Sequence, residues 1–292
     1  MHFDFHFTTV QILWTLTFAA LLVLLVVLLG RDRVRRFPWF TTAMVMMALR
    51  LLAERLLLGR MPRVLGSEIF LALADLASII ALLVAVELAR RAFPGARRAA
   101  WIIWTLVLLA VSGAVLVLWG PWPSVKTLFA GSELSALRMM QLVWEKAELL
   151  ADVLMIQLGL LIALFGRRFG VGWRSHTQQI VIGFSTASIA QLASRIIWQE
   201  IVLHTTIHSQ AEYARIVNLH EKLSNANGVV FIAVQVWWIV CLWIDEPGSE
   251  DAGEGEEPKA DTGEEPAKLV PAEANAETSG AEKIEEPESR SD

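Results

Sequence analysis

Two groups of side chains have types and spacings that could perform chemistry, and the first is a set of charged residues in otherwise apolar stretches. Glu145, Glu148 and Asp152 are three and four residues apart, and Arg50 and Glu54 are four apart. Residues with this spacing lie on one face of a helix. Each set therefore presents its charges in a single direction, which favours a surface that holds a charged or strongly polar ligand.

The second group is rich in histidine. Glu200, His204, His208 and Glu212 are spaced four apart, so on a helix they would form one stripe. A His-x3-His pair on a helix can chelate a divalent metal when a carboxylate or a third histidine completes the set. His204 and His208 are thus candidate metal ligands. The alternative interpretation is an exposed amphipathic helix that binds no metal.

Both groups belong to a chain that is 55% hydrophobic and only 19% charged, whereas soluble domains are about a quarter charged. A membrane helix needs about 20 mostly apolar residues to cross about 30 Å of hydrocarbon. Seven stretches qualify, namely 8–30, 37–59, 68–89, 100–119, 143–166, 178–200 and 227–244. The sequence predicts an all-α polytopic membrane helix bundle with seven transmembrane helices.

Basic residues are divided unequally between the loops at the two ends of these spans. Eleven arginines follow spans one, three and five, and five lysines or arginines occupy the opposite loops. Cytoplasmic loops carry the excess of basic residues, which predicts an outside N-terminus and an inside C-terminus in a cell inner membrane. Tryptophans at predicted span ends, such as Trp144 and Trp243, are typical of interfacial anchors.

Composition divides the chain into two parts. Residues 1–244 form the predicted seven-span transmembrane domain and contain 21 basic and 13 acidic residues. Residues 245–292 contain 4 basic and 17 acidic residues and are rich in Glu, Pro, Ala and Gly. Such a segment buries too little apolar surface to fold. We expect a disordered acidic cytoplasmic tail, either a solubilising segment or a tether for a basic cytoplasmic protein partner.

Most charged residues of the spans are predicted to lie in the outer half of the membrane. Charged side chains inside spans usually face the bundle interior or a water-filled cavity, so these residues define an outward-facing charged pocket near Lys146. The candidate ligand-binding residues are Arg50, Glu54, Asp75, Glu145, Glu148, Asp152, Gln191 and Arg195. The alternative is a set of ion pairs that hold the helices together.

Several functional classes require residues that this sequence lacks. A retinal protein needs a lysine in its last span, and residues 227–244 contain none. Zinc amide hydrolases of the ceramidase and adiponectin-receptor type place His-x3-His in the last span, whereas His204 and His208 precede it. Cys241 is the only cysteine, which excludes an intramolecular disulfide. No nucleotide-binding or nucleic-acid motif occurs, so no nucleic-acid partner is expected.

Two short segments resemble a known group of proteins. Arg35–Phe40 (RRFPWF) opens the second span, and Val86–Phe93 (VELARRAF) closes the third. Together they resemble a group of uncharacterised bacterial seven-helix integral membrane proteins, over the first third of the chain. The resemblance implies a seven-helix topology and a bacterial origin, and it implies no activity or cofactor.

The sequence therefore favours a non-enzymatic, receptor-like or accessory membrane protein. It would bind a small polar ligand or a partner through the outward-facing charged pocket, with no cofactor. Two alternatives stay open. One is a small-solute or ion transporter whose path is lined by Gln157, Gln191 and Gln235, and the other is an outward-facing metal-dependent hydrolase that uses His204 and His208.

Overall fold

The computed structural model describes residues 8–57, 60–93, 98–120, 122–123, 133–165, 175–205 and 209–245. Within these ranges every regular element is an α-helix. The helices are α1 (Thr9–Gly30), α2 (Arg33–Arg36), α3 (Pro38–Leu57), α4 (Arg63–Ala92), α5 (Arg98–Leu118), α6 (Glu133–Phe165), α7 (His176–His204) and α8 (Gln210–Trp243). The predicted acidic tail, from residue 246 onward, lies outside the described residues.

Five of these helices, α1, α4, α6, α7 and α8, are long and apolar enough to cross a membrane. Their outer surfaces are apolar as well. Val26 and Leu29 of α1 and Leu160 and Leu164 of α6 are all more than half exposed, and soluble proteins rarely expose extended apolar patches. The described residues therefore form an all-α bundle of the membrane-protein type.

The other two predicted spans, α3 and α5, are helical but are not among the helices recognised as long and apolar enough to cross a membrane. α3 carries Arg50, Glu54 and Arg55 in its second half, and α5 contains a shorter apolar helical stretch, Thr105–Leu118, among the residues whose side chains are described. The described residues therefore contain five candidate spans where the sequence predicted seven. The difference in α3 arises because three charges within one 20-residue helix reduce its apolar character.

Contacts between helices give the direction of each one. Arg31, which follows α1, pairs with Asp245, which follows α8, and a Cβ added at Gly228 would touch Leu13 near the start of α1. α1 and α8 therefore run parallel. By the same reasoning α3, α5 and α7 run opposite to α1, α4, α6 and α8. We call the end where α1 and α8 finish the basic end, and the opposite one the far end.

Six of the seven long helices close into a ring in the order α1, α3, α4, α6, α7 and α8, with α8 packed against α1. α5 lies outside this ring and packs mainly on α6. Ile103, Leu106 and Leu118 of α5 are each at least 61% exposed. α5 is thus a peripheral helix, and the shared interior of the bundle belongs to the other six.

The interior of the ring is filled with apolar side chains toward the basic end. Leu24 and Leu28 of α1 are fully buried there. Three aromatic rings, Phe40 of α3, Phe184 of α7 and Trp238 of α8, contact one another with centroid separations of 4.7 to 5.8 Å. We call these three residues the aromatic cluster. Buried polar side chains also occur at this end, among them Glu87, His176 and Gln178.

The last helix begins much earlier than its predicted span. Ser209 and Glu212 form a capping box, in which each residue satisfies a free backbone N–H of the other, so the helix begins at Gln210. α8 has 34 residues, which corresponds to about 51 Å at 1.5 Å per residue. Since α7 continues to His204, most of the segment expected between spans six and seven is helical.

Candidate functional site

A cavity of about 340 Å³ lies inside the helix ring, between α3, α4, α6, α7 and α8. Small-molecule sites usually occupy roughly 300–1,000 Å³. Its polar lining consists of Arg50, Ser78, Glu148, Asp152, Ser188, Gln191 and Asn227, and its larger apolar side chains are Met47, Trp144, Met155, Phe184 and Phe231. Phe184 also belongs to the aromatic cluster, which separates the cavity from the basic end.

One wall of the cavity contains an ion-pair group that joins α6 to α7. The Arg195 guanidinium pairs with the Glu148 carboxylate and lies 4.0 Å from Asp152 Oδ2. Arg195 Nη1 also donates to the backbone carbonyl of Glu145, at 3.5 Å. The Ser188 hydroxyl donates to the Asp152 carboxylate. Asp152 Oδ2 is buried without a hydrogen-bond partner among the described residues. The group is therefore held by Arg195, which does not itself line the cavity.

Arg50 enters the same cavity from α3 in a different environment. Its guanidinium carbon lies 4.8 Å from the centroid of the Phe70 ring and 5.5 Å from the Trp144 ring. The two rings contact each other edge to face, with centroids 6.0 Å apart. A cation over an aromatic face is stabilised by the electrons of the ring. Arg50 is therefore held in position by two aromatic side chains rather than by a carboxylate.

A chain of polar side chains closes the cavity between α7 and α8. Asn227 Nδ2 donates to Gln191 Oε1 at 3.0 Å, and Ser194 Oγ donates to Asn227 Oδ1 at 2.9 Å. Both partners of Asn227 are on α7, one turn apart, so this single amide links the two helices. Gln191 and Asn227 line the cavity and Ser194 does not.

The structure brings four of the eight predicted ligand-binding residues to this cavity, namely Arg50, Glu148, Asp152 and Gln191. Arg195 does not line the cavity but pairs with Glu148 in its wall. The remaining three are elsewhere. Glu54 lies with Arg50 at a small cleft between α3 and α4, and Asp75 is half-buried on α4 outside the cavity lining. Glu145 is exposed and accepts a hydrogen bond from Gln141 at 2.8 Å.

Lys146 does not share the charged region as the sequence suggested. Its ammonium group donates to the carbonyl of Trp119, at 2.5 Å, and lies 4.4 Å from the centroid of the Trp122 ring. These residues follow α5, so Lys146 caps the carbonyl end of the peripheral helix. The Lys146 side chain points in a different direction from those of Glu145 and Glu148, because consecutive helical residues are 100° apart.

The predicted histidine stripe is interrupted by the fold. α7 ends at His204, whose Nε2 lies 3.1 Å from the Glu200 carboxylate, and Glu212 belongs to the capping box of α8. His208 lies outside the described residues. Among the residues that the structure does describe, no three His, Cys, Asp or Glu side chains are grouped as metal ligands. A metal on His204 and His208 stays a prediction.

Sequence reasoning missed several residues that shape the cavity. Trp144 was expected at the membrane interface, but it contacts Phe70 and lies beside Arg50 inside the bundle. Met47 and Phe231 resemble other apolar residues of their helices and give no separate signal. Asn227 could have been found, because an amide within an apolar span needs a hydrogen-bond partner.

The chain matches no protein-family model, no curated protein and no solved structure. A function has to be inferred from the geometry of the cavity. Its walls combine one guanidinium, two carboxylates, two amides and two hydroxyls with a larger apolar surface. Such a site can bind a small molecule that has a charged group attached to an apolar body.

Proposed function

We propose that this protein binds a small amphiphilic molecule in the cavity between α3, α4, α6, α7 and α8, as a receptor-like or accessory subunit without enzymatic activity. The observation that carries the proposal is the cavity itself, about 340 Å³ in volume, with Arg50, Glu148, Asp152 and Gln191 in its walls. Charged side chains inside apolar helices are costly unless they serve a partner or a ligand.

The proposed topology has seven crossings in a bacterial inner membrane, with the N-terminus outside and the acidic tail inside. Two features support it. The seven long helices alternate in direction, including α3 and α5. Arg31, Arg33 and Arg91 collect at the basic end, as expected for the cytoplasmic side. In this arrangement the cavity lies toward the outer side.

Binding is favoured over transport by the aromatic cluster. Phe40 and Trp238 fill the space between Phe184, at the cavity wall, and the basic end, and both are fully buried. A transported solute would have to displace these three rings together. Uptake of radiolabelled octanoate into proteoliposomes tests this point, and we expect none above the level of protein-free vesicles.

Thiol labelling in intact cells tests both the topology and access to the cavity. In a Cys241→Ser background, Ala187→Cys places a thiol in the cavity wall, Ala211→Cys places one on exposed α8, and Ala267→Cys places one in the tail. A membrane-impermeant maleimide is expected to label the first two positions directly, and the tail only after permeabilisation. Direct labelling of the tail would contradict the orientation.

Ligand binding is tested on the purified full-length Cys241→Ser, Ala187→Cys protein. Octanoate, octylammonium and octanol share one apolar body and differ in charge. Saturable slowing of labelling at position 187 by at least one of them supports the function, with Ala211→Cys as the control that none should protect. If none slows labelling at position 187, the cavity is not a binding site for amphiphiles and the proposal is wrong.

A further inference from the structure

The charged groups of the cavity differ in whether they already have an opposite charge. Arg195 pairs with Glu148 and lies 4.0 Å from Asp152, so both cavity carboxylates are within reach of one guanidinium. For Arg50, no carboxylate of the described residues lies within ion-pair distance, including Glu54 four residues further along the same helix. Among the described residues, Arg50 is therefore the cavity charge that has no opposite charge within ion-pair distance.

The way in which Arg50 is held leaves its donors available. Phe70 and Trp144 both lie beside the guanidinium carbon, and neither ring offers an oxygen or nitrogen acceptor for a conventional hydrogen bond. The N–H groups of a guanidinium lie in its plane and form a fork that matches two oxygens of a carboxylate or phosphate. The two rings therefore hold the charge by cation–π contact, and the fork has no carboxylate partner among the described residues.

The rest of the cavity would receive an apolar body rather than a second charge. Met47 follows the same helix one turn before Arg50, and Met155, Phe184 and Phe231 form the deeper walls. Met side chains adapt to irregular apolar shapes. Ala77 and Ala81 of α4 keep the cavity wide on the side opposite α7 and α8.

We infer that the ligand is an anionic amphiphile, whose carboxylate or phosphate group binds the Arg50 guanidinium and whose apolar body lies among Met47, Met155, Phe184 and Phe231. This inference rests on the proposed binding function and specifies its chemistry. A cationic ligand would have to compete with Arg195 for Glu148 and Asp152, whereas an anion would meet an arginine that has no ion-pair partner to displace among the described residues. Arg50 is the specificity-determining residue.

The three eight-carbon compounds separate the inference from the function on which it rests. In phosphatidylcholine nanodiscs, octanoate is expected to protect the thiol at position 187 at a concentration at least roughly tenfold lower than octylammonium or octanol, which corresponds to about 1.4 kcal/mol. Equal or better protection by octylammonium or octanol would overturn the inference and leave the binding function intact. Protection by none would overturn both.

Variants of α3 assign the preference to one side chain. Arg50→Gln is expected to abolish the preference for octanoate, and Arg50→Lys to retain part of it, because an ammonium keeps the charge and loses the paired donors. Arg55→Gln is the matched control, since Arg55 is exposed on the same helix and does not line the cavity. An unchanged preference in Arg50→Gln would contradict the assignment, provided that helix content by circular dichroism equals that of the control.

A free acid and a membrane lipid offer the same chemistry, and the nanodisc composition distinguishes them. If the natural ligand is a lipid, phosphatidylglycerol added to the nanodiscs should slow labelling at position 187 without octanoate, and Arg50→Gln should remove this effect. If it is a free acid, octanoate protects equally with and without phosphatidylglycerol. Slowing by phosphatidylglycerol that persists in Arg50→Gln would count against recognition by Arg50.

Discussion

Glu87 on α4 accepts a hydrogen bond through Oε2 from the backbone N–H of Phe40, 3.1 Å away, at the first turn of α3. Its other oxygen lies 3.5 Å from the Arg91 guanidinium, which in turn lies 5.0 Å from the centroid of the Phe37 ring. The N–H groups of a first helical turn have no partner within the helix. A buried carboxylate from a neighbouring helix supplies that partner here.

This relationship predicts a large effect of removing the Glu87 carboxylate. Glu87 is only 8% exposed, so water cannot replace it at the helix end. Glu87→Ala is expected to lower the free energy of unfolding in detergent micelles by about 1–3 kcal/mol, the cost of a buried donor without a partner. Glu87→Gln keeps an acceptor oxygen and should lose less. Glu221→Ala, on exposed α8, is the control, and an equal loss there would contradict the prediction.

Close contact between α7 and α8 at Gly183 gives a second prediction. A Cβ at this position would lie 2.3 Å from Nε1 and 2.6 Å from Cε2 of Trp238, which is fully buried in the aromatic cluster. Gly183→Ala should therefore destabilise the protein by about 1–3 kcal/mol through overpacking. Gly113→Ala in α5 is the matched control, because no atom lies within 4 Å of its added Cβ.

A double variant tests whether Trp238 causes that loss. Trp238→Phe shortens the side chain that the added methyl would meet, so the Gly183→Ala change should cost less in the Trp238→Phe background than alone. Thermal unfolding midpoints of the four proteins give the coupling between the two positions. Strictly additive effects would show that the contact at Gly183 is not the cause.

Because the Lys146 side chain contacts the end of one peripheral helix, its replacement should affect the stability of that helix and not that of the whole bundle. Its ammonium group donates to the Trp119 carbonyl after the end of α5, and α5 packs mainly on α6. Lys146→Gln should accelerate amide hydrogen exchange in the last turns of α5 and leave α7 unchanged. Lys222→Gln, exposed on α8, should change neither. Faster exchange spread over the whole bundle would argue against a capping role.

Two kinds of contact hold the residues that follow α8 at the basic end. Asp245 pairs with Arg31 and Arg33 at 3.1 and 2.9 Å, but its side chain is 59% exposed. His176 is 2% exposed, and its Nε2 lies 2.9 Å from the Ile244 carbonyl. His176→Ala should therefore destabilise the protein more than Asp245→Asn, because exposed ion pairs contribute little. Thermal unfolding at low and high salt compares them, and only the effect of Asp245→Asn should depend on salt.

Local sequence information was sufficient for some features of this protein. The apolar stretches predicted the long helices α1, α4, α6, α7 and α8, because a helix that spans a membrane must be apolar over about 20 residues. Spacing along a single helix also placed Glu148 and Asp152 on one face of α6, and both line the cavity. Their neighbour Glu145 is instead exposed.

The tertiary structure alone decided which helices share an interior and how each is rotated. It excluded α5 from the ring, turned Lys146 toward Trp119, and paired Arg195 rather than Arg50 with the cavity carboxylates. The physical reason is that lipid and bundle core are both apolar, so helical periodicity does not distinguish the face that meets lipid from the face that meets a neighbour. Polar contacts between helices, such as those of Glu87 and Asn227, fix that rotation, and their partners are far apart in the sequence.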